Sequence, residues 1–233
     1  MQIELIAEQE ALAQRGAELI AETARKAIQQ RGQFLLAVSG GTAPWVMFAA
    51  LSKQKVQWDK VHLFQVDERV APDDDDDRNY KHLRETLVNL VPLRAGNVHP
   101  MPVTEPDLEA AAGKYARSLQ QAAGAGAILD LVHLGLGPDG HTASLIPGDP
   151  VLQVTDRDVA ITGVYQKRTR MTLTYPVLNR AAKVLWLVTG ANKVEPLAKM
   201  MAGDRSIPAG RVASARAVLL ADPAAAAKLK LPN

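Results

Sequence analysis

Four short runs of mostly apolar residues constrain the fold of this chain more than any other feature of its sequence. Each run has the length of a β-strand, and its apolar residues are largely consecutive. Strands that are apolar on both faces are typical of a parallel sheet covered by helices on both sides. The runs are Phe34–Val38, Val61–Val66, Leu129–Leu134 and Val184–Val188.

Segments with helical periodicity separate these runs. The first, Glu8–Arg31, has apolar residues near helical spacing and ends before Gly32, a common signal for a helix C-terminus. Strands that alternate with helices predict an α/β fold, with a mostly parallel sheet and right-handed crossovers. The other predicted helices are Pro44–Ser52, Asn79–Leu90, Pro106–Ala122 and Pro196–Ala202.

The remaining segments add two strands and a terminal helix to this prediction. Val159–Val164 and Arg170–Tyr175 are expected to form antiparallel strands at a sheet edge. The alanine-rich segment Ala221–Ala227 predicts a short helix. No Gly/Ser-rich or Pro-rich linker divides the chain and no repeat is found, so residues 1–233 are expected to form a single domain.

Composition excludes several classes of function. Lys and Arg number 27 against 25 Asp and Glu, a net charge of +2, which argues against nucleic-acid binding. The absence of cysteine excludes disulfides, thiolate catalysis and cysteine-based zinc sites. No segment predicts an export signal or a membrane span. A cytoplasmic globular protein is therefore expected.

The loop after the first apolar run has the composition of an anion site. Ser39, Gly40, Gly41 and Thr42 lie between a predicted strand and a predicted helix that begins near Pro44. The glycines allow close approach of the backbone, and helix N-terminal amides with two hydroxyls suit a phosphate. A tight turn with Thr42 as helix cap is the alternative. A P-loop is excluded, because the terminal Gly-Lys-Ser/Thr is missing.

Charged residues follow the second apolar run directly. Because side chains alternate along a strand, Asp67 and Arg69 are expected to face a pocket and Glu68 the opposite way. The acidic run Asp73–Asp77 could suggest a divalent metal site. It lacks the spaced ligands and the glycine turn of a calcium loop, so a solvated surface loop is favoured.

The third loop, Gly135–His141, contains the pattern G-x-G-x-x-G. Dinucleotide binding needs a long helix after this pattern, and the segment Pro147–Pro150 would stop such a helix early. The loop is therefore interpreted as a glycine-rich turn that presents Asp139 and His141 at a strand end. Histidine is the side chain best suited to exchange protons near neutral pH.

The other four histidines have less suggestive positions. His62 and His133 lie inside strand-like runs and are predicted to be structural. His82 and His99 are expected to be surface residues. His141 is therefore the candidate for proton transfer.

Two later cations complete the candidate site. Arg170 begins a predicted strand, and Lys193 lies just before a helix that contains Pro196 in its first turn. An anion is favoured near a helix N-terminus. With the Gly-Gly loop, these cations predict a phosphate or carboxylate site.

Five blocks of sequence carry a resemblance to a known family. They are SGGTAP from Ser39, DERV from Asp67, NYKHLRETL from Asn79, GLGPDGHTASLIP from Gly135, and RMTLT from Arg170 with TGANK from Thr189. With these blocks the chain resembles the 6-phosphogluconolactonases. The resemblance implies the fold of ribose-5-phosphate isomerase and glucosamine-6-phosphate deaminase. It also implies hydrolysis of 6-phospho-D-glucono-1,5-lactone to 6-phosphogluconate in the oxidative pentose phosphate pathway, without a metal or organic cofactor.

The resulting hypothesis assigns a role to each candidate residue. His141 activates water and then protonates the leaving ring oxygen. Asp67 orients His141, the water or a sugar hydroxyl, and Arg69 stabilises the oxyanion or the product carboxylate. The 6-phosphate is held by Arg170, Lys193 and the loop residues Ser39, Gly40, Gly41 and Thr42.

The sequence departs from the family pattern in two places. Arg78 stands where the family usually has serine before Asn-Tyr, and Gln166–Thr169 replaces a proline-rich approach to the strand arginine. Arg78 is expected either to contact the phosphate or to offset the negative charges of Asp73–Asp77.

Two alternatives to the lactonase remain. The aminosugar-phosphate deaminases and isomerases of the same fold carry an acidic residue five positions after the histidine, where this chain has Ile146. A non-catalytic sugar-phosphate sensor would usually carry a DNA-binding module, for which the chain has no extra domain.

Overall fold

The computed structural model describes residues 1–124 and 126–229. Ten strands are formed within these residues, and most of them have no charged side chain. The strands are β1 (Gln2–Leu5), β2 (Phe34–Val38), β3 (Val61–Gln65), β4 (Asp67–Arg69), β5 (Val98–His99), β6 (Leu131–Leu134), β7 (Val159–Ile161), β8 (Arg170–Leu173), β9 (Val184–Val188) and β10 (Ala217–Ala221).

Six α-helices connect the strands within the same described residues. The longest ends where Gly32 adopts a left-handed conformation (φ 77°) and its N–H closes the last turn on the Ile28 carbonyl. The helices are α1 (Gln9–Arg31), α2 (Thr42–Leu51), α3 (Asn79–Thr86), α4 (Leu108–Ala123), α5 (Tyr175–Arg180) and α6 (Val194–Met201).

The main sheet has the order β1-β10-β9-β6-β2-β3-β5, and every pairing in it is parallel. Side chains of the central strand β2 alternate between two apolar clusters: Phe34 and Leu36 pack on one face, Leu35 and Ala37 on the other. Both faces are therefore buried, which explains the continuous apolar run. The predicted α/β fold with a mostly parallel sheet is confirmed.

A small second sheet has the order β4-β8-β7 and is antiparallel. The antiparallel pairing of β7 with β8 was expected, but at an edge of the main sheet. Instead β8 pairs with β4 as well as with β7, and the single residue Val66 separates β4 from β3. This register places Arg69 opposite Arg170.

The prediction for the C-terminal region was wrong. Ala217–Ala221 is a strand between β1 and β9, and turns follow it instead of a helix over Ala221–Ala227. The parallel pairing buries this apolar strand, and the Asp222 carboxylate then accepts a hydrogen bond from the Ala225 N–H. Tertiary pairing thus overrides the helix propensity of alanine. Of the helices in the described residues, none is long and apolar enough to cross a membrane.

Candidate functional site

A cavity of about 170 Å³ lies at the carboxyl ends of the central strands of the parallel sheet. In an open parallel sheet this is where ligands bind. Residues that follow β2, β3, β6 and β9 meet there with β8. The lining consists of Ser39, Gly40, Asp67, Arg69, Asn79, Gly135, Leu136, Gly137, Pro138, His141, Ala143, Arg170 and Lys193.

Most of the candidate residues named from the sequence line this cavity, but Gly41 and Thr42 do not. Gly41 (φ 133°) precedes α2, and Thr42 lies against a separate cavity with Thr189 and Gly190. At Gly40, a Cβ atom would lie 2.1 Å from the Asn79 Oδ1 atom. The close approach of Gly40 to Asn79 explains the need for glycine there.

His141 is held by Asp139 within the turn after β6. Its Nδ1 atom lies 2.6 Å from Asp139 Oδ1, and the other carboxylate oxygen accepts a hydrogen bond from the Tyr165 hydroxyl at 2.9 Å. Burial raises the pKa of Asp139, whereas the hydrogen bonds from His141 and Tyr165 lower it. The net effect is a pKa well below the usual range of an aspartate. Asp139, rather than Asp67, is therefore the carboxylate that orients His141.

Glycine is required in this turn because backbone and side chains pack closely. The Gly137 N–H donates to the His141 carbonyl at 2.8 Å, and the Gly140 N–H donates to the Gly137 carbonyl. A Cβ atom on Gly137 would lie 2.1 Å from His141 Nδ1 and 2.7 Å from Asp139 Oδ1. The turn thus serves the geometry of His141. The dinucleotide interpretation fails in the structure too, because turns and a short 3₁₀ helix follow the glycine pattern.

Asp67 lines the same cavity as His141 but has a different hydrogen-bond partner. Its Oδ2 atom accepts a hydrogen bond from the Ser144 hydroxyl at 2.6 Å. Ser144 is fully buried, and its N–H donates to the Thr172 hydroxyl. The sequence analysis missed Ser144, although it belongs to the GHTAS segment that follows His141. It fixes one oxygen of Asp67 and leaves the other for a ligand.

Arg69 points into the cavity and Glu68 away from it, as the strand alternation predicted. The Arg69 guanidinium donates to the Asp77 carbonyl and to Asn79 Oδ1 at 3.1 Å. Glu68 is fully buried and accepts hydrogen bonds from the Asn79 and Tyr80 N–H groups at the start of α3. Asn79 lines the cavity, although the sequence analysis did not make it a candidate site residue.

The structure gives Arg78 a role outside the cavity. Its side chain is buried, with Nε 3.2 Å from the Glu68 carboxylate and Nη1 2.9 Å from Asp73. Arg168 binds Asp75 and Asp77 in the same acidic run. Cations therefore bind the carboxylates of Asp73, Asp75 and Asp77, and the described residues hold no cluster of three or more potential metal ligands.

The cavity carries several polar groups whose hydrogen-bonding capacity is unused. The Ser39 hydroxyl, Arg69 Nε and Arg170 Nε are buried and make no hydrogen bond within the described residues. Burial lowers the pKa of Arg170, and the charge of Asp67 partly counters this shift. Burial also lowers the pKa of Lys193, where the charge of Asp139 acts in the opposite direction. A buried donor or cation without a partner lowers the stability of the folded protein. An anion that accepts hydrogen bonds from these groups is therefore the expected ligand of the cavity.

Three of the other histidines, His62, His99 and His133, make structural contacts away from the candidate base. Burial lowers the pKa of His133 to about 3, and its Nδ1 accepts a hydrogen bond from the Ser39 N–H. His99 was expected on the surface, but it stacks on Phe64 at 4.1 Å and bonds His62 at 3.1 Å. The pairing of β5 with β3 places His99 opposite Phe64, and burial lowers the pKa of His99 to about 4.

The comparison with family models decides the family. Residues 7–220 match the model described as glucosamine-6-phosphate isomerases/6-phosphogluconolactonase. The chain belongs to this family.

Members of the family that are similar to the chain include 6-phosphogluconolactonases. The enzyme of that name from Nostoc sp. is 39% identical over 204 residues, which cover 86% of this chain and 85% of the relative. The crystal structure of 6-phosphogluconolactonase from Thermotoga maritima is 30% identical and covers 95% of this chain and 98% of its own, with a TM-score of 0.85. The fold implied by the resemblance is thus confirmed.

The deaminase branch of the family shares the fold. A monomeric glucosamine-6-phosphate deaminase matches 97% of this chain and 99% of its own with a TM-score of 0.83, at 18% identity. Five positions after His141, this chain has the buried side chain of Ile146, which cannot transfer a proton.

Proposed function

We propose that the protein hydrolyses 6-phospho-D-glucono-1,5-lactone to 6-phosphogluconate and that His141 is the general base. Support for the reaction comes from the 6-phosphogluconolactonases that match most of the chain. The observation that carries the mechanism is the pairing of His141 Nδ1 with Asp139, because it leaves Nε2 as the basic atom beside the cavity. The described residues make no hydrogen bond to Nε2.

The proton moves in two steps. Nε2 of His141 takes a proton from water as the water oxygen attacks the C1 carbonyl, and negative charge develops on the carbonyl oxygen. Collapse of this intermediate breaks the bond from C1 to the ring oxygen, and His141 returns the proton to that oxygen. Asp139 stabilises the imidazolium in between and keeps the ring oriented.

Asp67 and Arg69 act at the reacting end of the sugar. The Asp67 oxygen that Ser144 leaves available accepts a hydrogen bond from the attacking water or a sugar hydroxyl. Arg69 stabilises the oxyanion and then the product carboxylate. Its position beside Asn79 and the Asp77 carbonyl limits the movement of its side chain before substrate arrives.

The phosphate is held at the other end by cations and a loop. Arg170, Lys193, Ser39 and Gly40 line the cavity, and the Ser39 hydroxyl and Arg170 Nε are unused donors there. Gly41 and Thr42 contribute by shaping the start of α2. Binding the phosphate fixes the lactone ring over His141 and lowers the entropic part of the barrier.

No metal or organic cofactor takes part in this mechanism, and the proposed ligand is a small sugar phosphate. The chain is proposed to act in the cytoplasm, in keeping with a composition that has no cysteine. Nucleic acid and membranes are not proposed partners, since the net charge is only +2.

A paired substrate test distinguishes this function from that of the deaminase branch. The wild-type protein is expected to accelerate the opening of freshly generated lactone far above its spontaneous rate. No ammonia release from glucosamine-6-phosphate is expected, because Ile146 cannot take part in proton transfer. Both reactions are followed continuously at several protein concentrations. Ammonia release with no lactone hydrolysis would favour the deaminase, and saturable binding without either reaction would favour a sensor.

A further inference from the structure

A tight turn over residues 165–168 lies beside the site, where the sequence departs from its family. The Tyr165 N–H donates to the Arg168 carbonyl at 2.9 Å, and the Arg168 N–H donates to the Tyr165 carbonyl at 3.1 Å. Gln166 and Lys167 have left-handed φ values of 49° and 68°. This two-residue turn normally uses glycine or asparagine. Other residues keep such a conformation only where surrounding contacts hold it.

Contacts on both sides of the turn hold it in place. Arg168 binds the carboxylates of Asp75 at 2.7 Å and Asp77 at 2.9 Å. On the other side, Gln166 Oε1 accepts a hydrogen bond from the Arg170 guanidinium at 3.1 Å. The turn therefore connects the acidic run to the strand that carries Arg170.

The Tyr165 side chain contacts both halves of the site. Its hydroxyl donates to Asp139 Oδ2 at 2.9 Å, while Asp139 Oδ1 holds His141 Nδ1 at 2.6 Å. The Tyr165 and His141 rings meet nearly edge to face, with centroids 5.5 Å apart. The Arg170 guanidinium lies over the Tyr165 ring, 5.0 Å from its centroid.

We propose that Tyr165 is a positioning residue for lactone hydrolysis, which fixes His141 through Asp139 and supports Arg170 with its ring. The inference rests on the proposed role of His141. With both oxygens bonded, the Asp139 carboxylate cannot rotate without breaking a hydrogen bond, so the imidazole stays aligned with Nε2 at the cavity. The hydroxyl therefore acts on the chemical step, and the ring acts on anion binding through the cation–π contact with Arg170.

Two substitutions at Tyr165 separate these contributions. Tyr165→Phe removes only the hydroxyl, and kcat is expected to fall about tenfold with KM within about twofold of the wild-type value. Tyr165→Leu also removes the ring, so KM should rise as well. Tyr80→Phe is a matched control, because Tyr80 on α3 is also a half-buried tyrosine. Its hydrogen bond to Glu68 comes from the backbone N–H, which the substitution keeps. Its kinetics should be those of the wild type.

A double-mutant cycle tests whether Tyr165 acts through Asp139. In the Asp139→Ala background, Tyr165→Phe is expected to have no further effect on kcat, since the group that it positions is gone. The imidazole N–H proton resonance of His141 should also shift in Tyr165→Phe. Equal fold-losses in both backgrounds, or wild-type kinetics for Tyr165→Phe, would overturn the inference. Failure of the proposed function is a separate outcome, recognised when His141→Ala keeps its activity.

Discussion

Replacing His141 by alanine is expected to reduce kcat for lactone hydrolysis by about 10²-fold or more. The substitution removes the only group proposed to take a proton from water and return one to the ring oxygen. Affinity for 6-phosphogluconate should change little, because Arg170 and Lys193 remain in the cavity. The measurements are initial rates corrected for spontaneous opening, and product affinity by calorimetry.

His82→Ala is the matched control for this substitution. His82 is a half-buried histidine on α3 that bonds the Asp76 carbonyl outside the cavity lining. Its removal should leave kcat and product affinity close to the wild-type values. A near-normal kcat for His141→Ala would remove His141 from the mechanism. A large loss of product affinity would instead assign His141 to binding.

The second large effect is expected for Gly137→Ala, although the change adds a single methyl group. Its Cβ atom would lie 2.1 Å from His141 Nδ1 and 2.7 Å from Asp139 Oδ1, so these two side chains must shift. A displacement of about 1 Å costs a catalytic group roughly 10² in rate. We therefore expect kcat to fall by about that factor, with the thermal midpoint little changed, because the methyl group meets two polar side chains and not the apolar core.

Gly96→Ala is the control for the effect of an added methyl group. A Cβ atom at Gly96 meets no other atom within 4 Å, and Gly96 has no positive φ. Wild-type kinetics are expected for this control. If Gly137→Ala had normal kcat, the hydrogen bond between His141 and Asp139 would not be needed for catalysis.

Much of the fold could be predicted because burial on both faces leaves a simple pattern. The runs that became β2, β3, β6 and β9 were recognised from consecutive apolar residues. The strand β10 was missed, since its sequence Ala217–Ala221 merges into an alanine-rich tail whose local propensity is helical. Only the partners β1 and β9 make it a strand, and pairing between distant segments is not encoded locally.

The site was predictable to the extent that it lies on loops at strand ends. His141, Asp67 and Arg69 were located because strand periodicity predicts where a strand ends and which way its side chains point. Their hydrogen-bond partners were not. Ser144 and Tyr165 reach Asp67 and Asp139 through the folded arrangement of β4, β8 and the turn before β8, which the sequence alone does not specify.

A crystal structure with bound 6-phosphogluconate tests the central claim most directly, because it shows which end of the sugar lies at His141. The C1 carboxylate is expected within about 2.6–3.2 Å of His141 Nε2 or one water away from it. The phosphate should lie against Arg170 and Lys193. A phosphate beside His141, with C1 at the opposite end of the cavity, would contradict the proposed mechanism.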